Sequence, residues 1–291
     1  MARSVALDLR ARTVLRDLLA DPLFELLPLR NLDQQADALP DRAAVSVTAS
    51  PARGIEATVE AAERLTERGF RVTPHLSARM IRDRAHLRAL LDRLAAARIS
   101  RVFVIGGDAD EPGAFPDALS LLRAMSDTGA RFEEVGIAAY PEGHPIIPTP
   151  ILLEALAAKQ PFATSMTTQL CFDPEAIRRW LQARRDDGIS LPVVIGLPGV
   201  TELRKLLAIS ARIGVADSRR FLRKNTRLVG RLVRPGGYDP DTLLAGLVPL
   251  LADPGLDIRG VHLYTFNYAE ATVDWLRAYR DALGVPAEAA S

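Results

Sequence analysis

The chain has 291 residues, 48% of them hydrophobic and 25% charged, with a net charge of +1. That length carries one large barrel or two modest domains, and the balanced charge gives no basis for binding nucleic acid or an anionic membrane surface. A single cysteine, Cys171, excludes an internal disulfide and suits a reducing compartment. With no apolar run of membrane-spanning length and no signal-peptide core near Met1, a cytoplasmic location is expected.

Residues 1–20 read as an amphipathic helix, with Val14, Leu15, Leu18 and Leu19 at helical spacing, packed outside the main fold. The first strand is Leu23–Leu27, interrupted by the charge of Glu25, and the second is Ala44–Thr48. Ile55, Val59, Ala62 and Leu65 mark one face of a helix that Gly69 ends. A third strand is Arg71–Pro74, closing on His75. Asp83 caps the next helix, striped with Leu87, Leu90, Leu91 and Leu94. The fourth strand, Arg101–Ile105, runs into Gly106-Gly107-Asp108, and a helix follows from about Phe115 to Thr128. The fifth strand ends in Ala139-Tyr140-Pro141-Glu142-Gly143-His144-Pro145, where two prolines stiffen a loop carrying three polar side chains. Further on come a helix near Ile151–Lys159, strand Ala163–Thr168 ending at Gln169, and a helix opened by Asp173-Pro174. Strand Pro192–Gly196, helices within Thr201–Asp253, strand Val261–Tyr264 and a helix over Tyr268–Leu283 complete the order.

Eight near-continuous apolar strands alternating with helices predict an α/β protein with a parallel sheet. For residues 1–291 a single (β/α)₈ barrel with an N-terminal extra helix is expected. A two-lobed nucleotide-binding fold is the alternative, but no Gly-x-Gly-x-x-Gly follows any strand.

In such a barrel the active site lies at the C-terminal ends of the strands. Glu25, Thr48, His75, Asp108, Tyr140, Gln169, Tyr264 and Asn267 stand there, while Gly196-Leu197-Pro198-Gly199 offers no large polar side chain and leaves space. A carboxylate inside an apolar strand needs a partner or a role, so Glu25 is either catalytic or paired with Arg30 or another base. His75, His144 and His262 lie near strand ends without metal-ligand spacing, and no metal site is expected. Cys171, between Leu170 and Phe172, reads as an inert buried thiol. The Arg-rich stretch Arg219–Arg234 is either a solvated basic helix face or an electrostatic lure for an anionic ligand tail.

Several of these stretches line up together. Phe24-Glu25-Leu26-Leu27-Pro28, Ser46-Val47-Thr48, Pro74-His75-Leu76, Gly107-Asp108, Ala139-Tyr140-Pro141-Glu142-x-His144-Pro145, Thr168-Gln169 and His262-Leu263-Tyr264-Thr265-Phe266-Asn267 occur in the order of one family. The sequence resembles methylenetetrahydrofolate reductase, a (β/α)₈-barrel enzyme. The resemblance implies a folate substrate and places Glu25 on the family's general acid. It places Asp108 on a carboxylate near the flavin and the folate cation, and Gln169 on a glutamine that contacts folate and nicotinamide. Thr48, His75, Tyr140 and His144 fall on residues lining the flavin site, and Tyr264 and Asn267 belong to a matching stretch at the barrel mouth.

The departures concern the flavin. Where the family carries an Arg before Gly-Asp this chain has Gly106, and where it carries an Arg-Lys pair that grips the flavin pyrophosphate this chain has Ala157 and Ala158. Charge-assisted bonds worth roughly 1.5–3 kcal/mol each are thereby absent; Lys159 is the one neighbouring cation that could replace part of them. The loop after Gly199 is shorter than the family's and lacks its stacking aromatic. The expected activity is reduction of methylenetetrahydrofolate by NADH, with NADPH the second choice, by direct hydride transfer without FAD. The same reaction through bound FAD, a folate-binding barrel without turnover and a metal-dependent hydrolase are the rivals.

Overall fold

The computed structural model describes residues 8–202, 240–251 and 253–284. The Arg-rich stretch Arg219–Arg234 and the loop after Gly199 from residue 203 onward lie outside the described residues.

Eight parallel strands close into one barrel in sequence order, with β8 pairing back onto β1. They are β1 (Leu23–Leu26), β2 (Ala44–Val47), β3 (Arg71–Ser77), β4 (Arg101–Ile105), β5 (Glu134–Ala139), β6 (Ser165–Thr168), β7 (Val193–Pro198) and β8 (Ile258–Tyr264). Among the described residues the α-helices outside them are α1 (Leu9–Leu18), α2 (Leu32–Asp37), α3 (Gly54–Glu67), α4 (Arg84–Ala96), α5 (Ala118–Asp127), α6 (Thr149–Lys159), α7 (Pro174–Asp186), α8 (Asp241–Leu251) and α9 (Ala269–Leu283). All eight expected strands are present. The six-residue α2 escapes sequence periodicity because it is too short to show a stripe.

Local signals start the helices where the sequence places them. Asp83 accepts from the backbone N–H of His86 at 2.7 Å, and Asp117 and Ser120 form a reciprocal capping box at α5. The N-terminal helix α1 lies outside the barrel against α8 and α9, with Leu15 and Leu19 fully buried.

Alternation along the strands divides the side chains into two sets. Phe24, Leu26, Val45, Val47, Val72 and Leu76 face outward into one apolar layer shared with the helices. Their alternates face inward, and many of them are polar: Glu25, Ser46, Thr73, His75, His262 and Tyr264. Barrels of this kind fill the interior with layers of branched apolar side chains. Here the stabilising burial is in the outer layer, and the lumen is free to carry chemistry.

Candidate active site

The centre of the lumen is an acid and an imidazole. Glu25 on β1 and His262 on β8 meet because the barrel closes between these strands, with Leu23 in register with His262 and Glu25 with Tyr264. Nε2 of His262 lies 3.2 Å from Oε2 of Glu25. The His262 side chain is 2% exposed and that of Glu25 12%, so the imidazole is sealed and the carboxyl keeps an opening. Glu25 is therefore not the isolated acid that its strand suggests: its partner is His262, from the far end of the chain, and not Arg30.

A shell of rings surrounds the pair. His75 on β3 packs 4.8 Å from Phe103 and 6.4 Å from His262, and Tyr264 stands 4.7 Å from His262. Gly136 makes room for Phe103, since a Cβ there would stand 2.6 Å from the ring. Burial pushes the pKa of His75 down to about 4, against the pull of Glu25's charge and with the help of His262's. Burial, reinforced by Glu25 and Tyr140, holds the Tyr264 phenol well above its ordinary value. Ser46 Oγ, Ser77 Oγ, His75 Nε2 and His262 Nδ1 are buried and find no hydrogen-bond partner among the described residues. Buried polar atoms rarely go unmatched, so these four mark the lumen as a place for polar groups from outside the chain.

The depressed pKa of His75 has a consequence for stability. Its folded value of about 4 lies below the ordinary 6.5, so the unfolded chain binds the proton first. Its stabilising contribution is complete above about pH 6.5 and is lost as pH falls toward 4, by up to about 3 kcal/mol. Urea unfolding across this range should show a steeper loss of stability in the wild type than in His75→Gln; equal slopes would mean that His75 is not buried neutral.

Tyr264 also settles the space expected at the end of β7. Its hydroxyl donates to the Thr168 carbonyl at 3.0 Å, passing over Gly196. A Cβ at Gly199 would in turn meet Thr272 Oγ1 at 2.5 Å. The gap over Gly196 and Gly199 is thus filled by this protein's own side chains and is not left for a ligand.

The remaining candidates are distributed around the mouth. Asp108 is exposed on the loop after β4, and its charge is felt by both Tyr140 and His144. Those two rings meet edge to face at 5.4 Å. His144 turns Nδ1 to the N–H groups of Ile146 and Ile147, both at 3.3 Å, which fixes it as an acceptor there. Burial lowers its pKa and, with the charge of Asp108, raises that of Tyr140. Gln169 follows β6 and folds its Oε1 onto the N–H of Leu170 at 2.8 Å. Thr48 follows β2, its carbonyl accepting from Thr58 Oγ1 at 3.0 Å. Asn267 does a different job. Its Oδ1 accepts from the Leu27 N–H at 2.9 Å and its Nδ2 donates to Asn31 Oδ1 at 3.3 Å. Thr265 Oγ1 donates to the Glu25 carbonyl. Together these bonds lock the ends of β8 and β1, and Asn267 supports the Glu25–His262 pair from outside.

Among the described residues no three His, Cys, Asp or Glu side chains converge to hold a metal ion. Cys171 is fully buried, as its neighbours suggest. Among the described residues no helix is long and apolar enough to cross a membrane.

A family model for methylenetetrahydrofolate reductase matches residues 28–279. This chain belongs to the methylenetetrahydrofolate reductase family. Two solved structures are among those to which this chain shows a weak similarity. DHPS from Yersinia pestis, with a pterine–sulfa conjugate, is 14% identical, with 98% of this chain and 99% of that one covered at a TM-score of 0.42. Tryptophan synthase from M. tuberculosis, in its aminoacrylate-bound form, is 16% identical, with 90% and 99% covered at a TM-score of 0.42. At these scores neither bears on the reductase-family reading, and the barrel assignment rests on the strand pairing itself.

Proposed function

We propose that this chain reduces 5,10-methylenetetrahydrofolate to 5-methyltetrahydrofolate, taking the hydride directly from NADH. Family membership supports the folate substrate and the oxidoreductase class. The observation that carries the chemistry is the Glu25–His262 pair, buried on one side and open on the other.

The reaction consumes a proton and a hydride. Glu25 delivers the proton to one nitrogen of the methylene bridge. The bond from that nitrogen to the bridging carbon breaks, its electron pair stays on the nitrogen, and the carbon and the other nitrogen become an iminium. The hydride from the nicotinamide adds to that carbon and leaves the methyl group and NAD⁺. His262 suits both states of the acid, because imidazole accepts from a carboxyl O–H or donates to a carboxylate through the same Nε2. Asp108 supplies a negative charge near the cation that forms. Gln169, its oxygen committed to Leu170, offers its amide NH₂ to the pterin. Thr48, Tyr140, His144 and Tyr264 line the mouth in which two flat ligands lie face to face.

The flavin that serves the family is a poor match for the described residues. Gly106 has open space where a side chain would stand, so crowding does not explain the missing cation. Ala157 is exposed and Ala158 half-buried on α6, and neither can offset a pyrophosphate. Lys159 is the cation beside them, but it is 9% exposed, and burial lowers its pKa to about 8 with Asp117 as the opposing charge, which makes it a poorer grip on a pyrophosphate than the family's pair. The purified protein is therefore expected to lack flavin absorbance and to oxidise NADH with methylenetetrahydrofolate without added FAD. Stoichiometric FAD in the purified protein would return the flavin relay, and folate binding without turnover would make the chain a binding barrel.

A further inference from the structure

The loop that carries Asp108 is held by one residue that the chemistry above does not use. Pairing of β3 with β4 ends at Ser77 opposite Ile105, and Asp108 lies three residues beyond that point. Its carboxylate makes no hydrogen bond among the described residues, so its position at the mouth depends on its backbone. That backbone is fastened to Arg79, in the short turn after β3. The Arg79 N–H donates to the Gly106 carbonyl at 3.0 Å, and the Gly113 N–H donates to the Arg79 carbonyl at 3.0 Å. The guanidinium donates through Nε to the Ala109 carbonyl at 2.6 Å and through Nη2 to the Asp110 carbonyl at 2.8 Å. The loop is thus gripped on both sides of Asp108.

Two glycines let it lie that close. A Cβ at Gly107, where φ is +88°, would fall 1.8 Å from Ser77 Oγ, and one at Gly113 would fall 2.1 Å from the Ile81 carbonyl. The guanidinium is suited to the task because its rigid fork aims two donors at two successive carbonyls; a lysine ammonium is a single point on a flexible stem.

We propose that Arg79 is a positioning residue, whose contribution to turnover is to hold Asp108 where the folate cation forms. The proposal rests on the reductase reading, and its test separates the two. The first measurement needs no substrate. Arg79→Ala and Arg79→Lys should both speed amide hydrogen exchange at Gly113, whose N–H the clamped loop protects, while the rest of the barrel stays protected. Unchanged exchange in both variants would overturn the clamp. The second is a double-mutant cycle on NADH-dependent reduction of methylenetetrahydrofolate. Arg79→Ala should lower kcat by about 10- to 100-fold, as misplacement of a reacting group does, with KM for NADH within about 3-fold of the wild type. Arg79→Lys should fail to restore it, and Arg79→Ala placed on Asp108→Asn should cost nothing further. A full Arg79→Ala penalty in the Asp108→Asn background would overturn the proposal, because Arg79 would then act other than through Asp108. So would an Asp108→Asn variant as fast as the wild type. A wild-type protein that binds folate without turnover would overturn the reductase reading and leave the exchange result to decide the clamp.

Discussion

Replacing Glu25 by glutamine is expected to lower kcat for methylenetetrahydrofolate reduction by about 10²–10⁴-fold, the usual cost of losing a general acid. Glutamine keeps the length of the side chain and can still hydrogen-bond Nε2 of His262, so the buried imidazole keeps a partner and the barrel holds. What is lost is the transferable proton. Folate affinity, read by titration calorimetry, and the thermal unfolding midpoint should stay near the wild-type values. Glu25→Ala is the harsher variant, because it leaves His262 sealed in the lumen with no hydrogen-bond partner among the described residues, and it should cost stability as well as rate. Near-normal turnover by a folded Glu25→Gln protein would remove Glu25 from the chemistry.

A large effect on stability is expected at Gly196. A Cβ there would stand 2.1 Å from the Thr168 carbonyl oxygen and 2.7 Å from the Tyr264 ring. Neither neighbour can yield. The first is strand backbone, and the second is tethered to that same carbonyl by its hydroxyl at 3.0 Å. Overpacking in a tight core costs about 1–3 kcal/mol and more where backbone must move, so Gly196→Ala should lose about 3 kcal/mol or fail to accumulate as folded protein. Gly260, on the neighbouring strand, is the control: nothing stands within 4 Å of its absent Cβ. Gly260→Ala should be nearly neutral in the same urea titration. Equal midpoints for the two variants would show that Tyr264 does not occupy the space over Gly196.

Much of this arrangement is visible in the sequence because the outer layer obeys simple periodicities. Short, near-continuous apolar runs for the strands and leucine stripes such as Leu87, Leu90, Leu91 and Leu94 for the helices locate the elements without any tertiary information. The residues at the strand ends follow from the barrel. Their partners do not. Glu25 and His262 are 237 residues apart and meet only because β8 closes on β1. The clue was available in the predicted order of eight strands, which makes the first and last neighbours. Asn267 looks like a mouth residue in one dimension, and in three it also ties β8 to β1 through its bonds to Leu27 and Asn31. Gly196 of β7 suggests an opening until the ring of Tyr264 is seen crossing it. Arg79 carries no sequence signal at all, because its partners are backbone carbonyls, which every residue has.

In the proposed reaction, hydride passes from nicotinamide to the methylene carbon without a relay. A flavin relay would first place the hydride on a flavin nitrogen, where it exchanges with water. Direct transfer keeps it on carbon throughout and requires both ligands in the mouth together. The decisive measurement is turnover with NADH deuterated on one face of the nicotinamide, followed by mass and NMR analysis of the product. Direct transfer predicts one deuterium in the methyl group of every 5-methyltetrahydrofolate from one labelled face and none from the other. Label diluted by solvent hydrogen during a single turnover would contradict it.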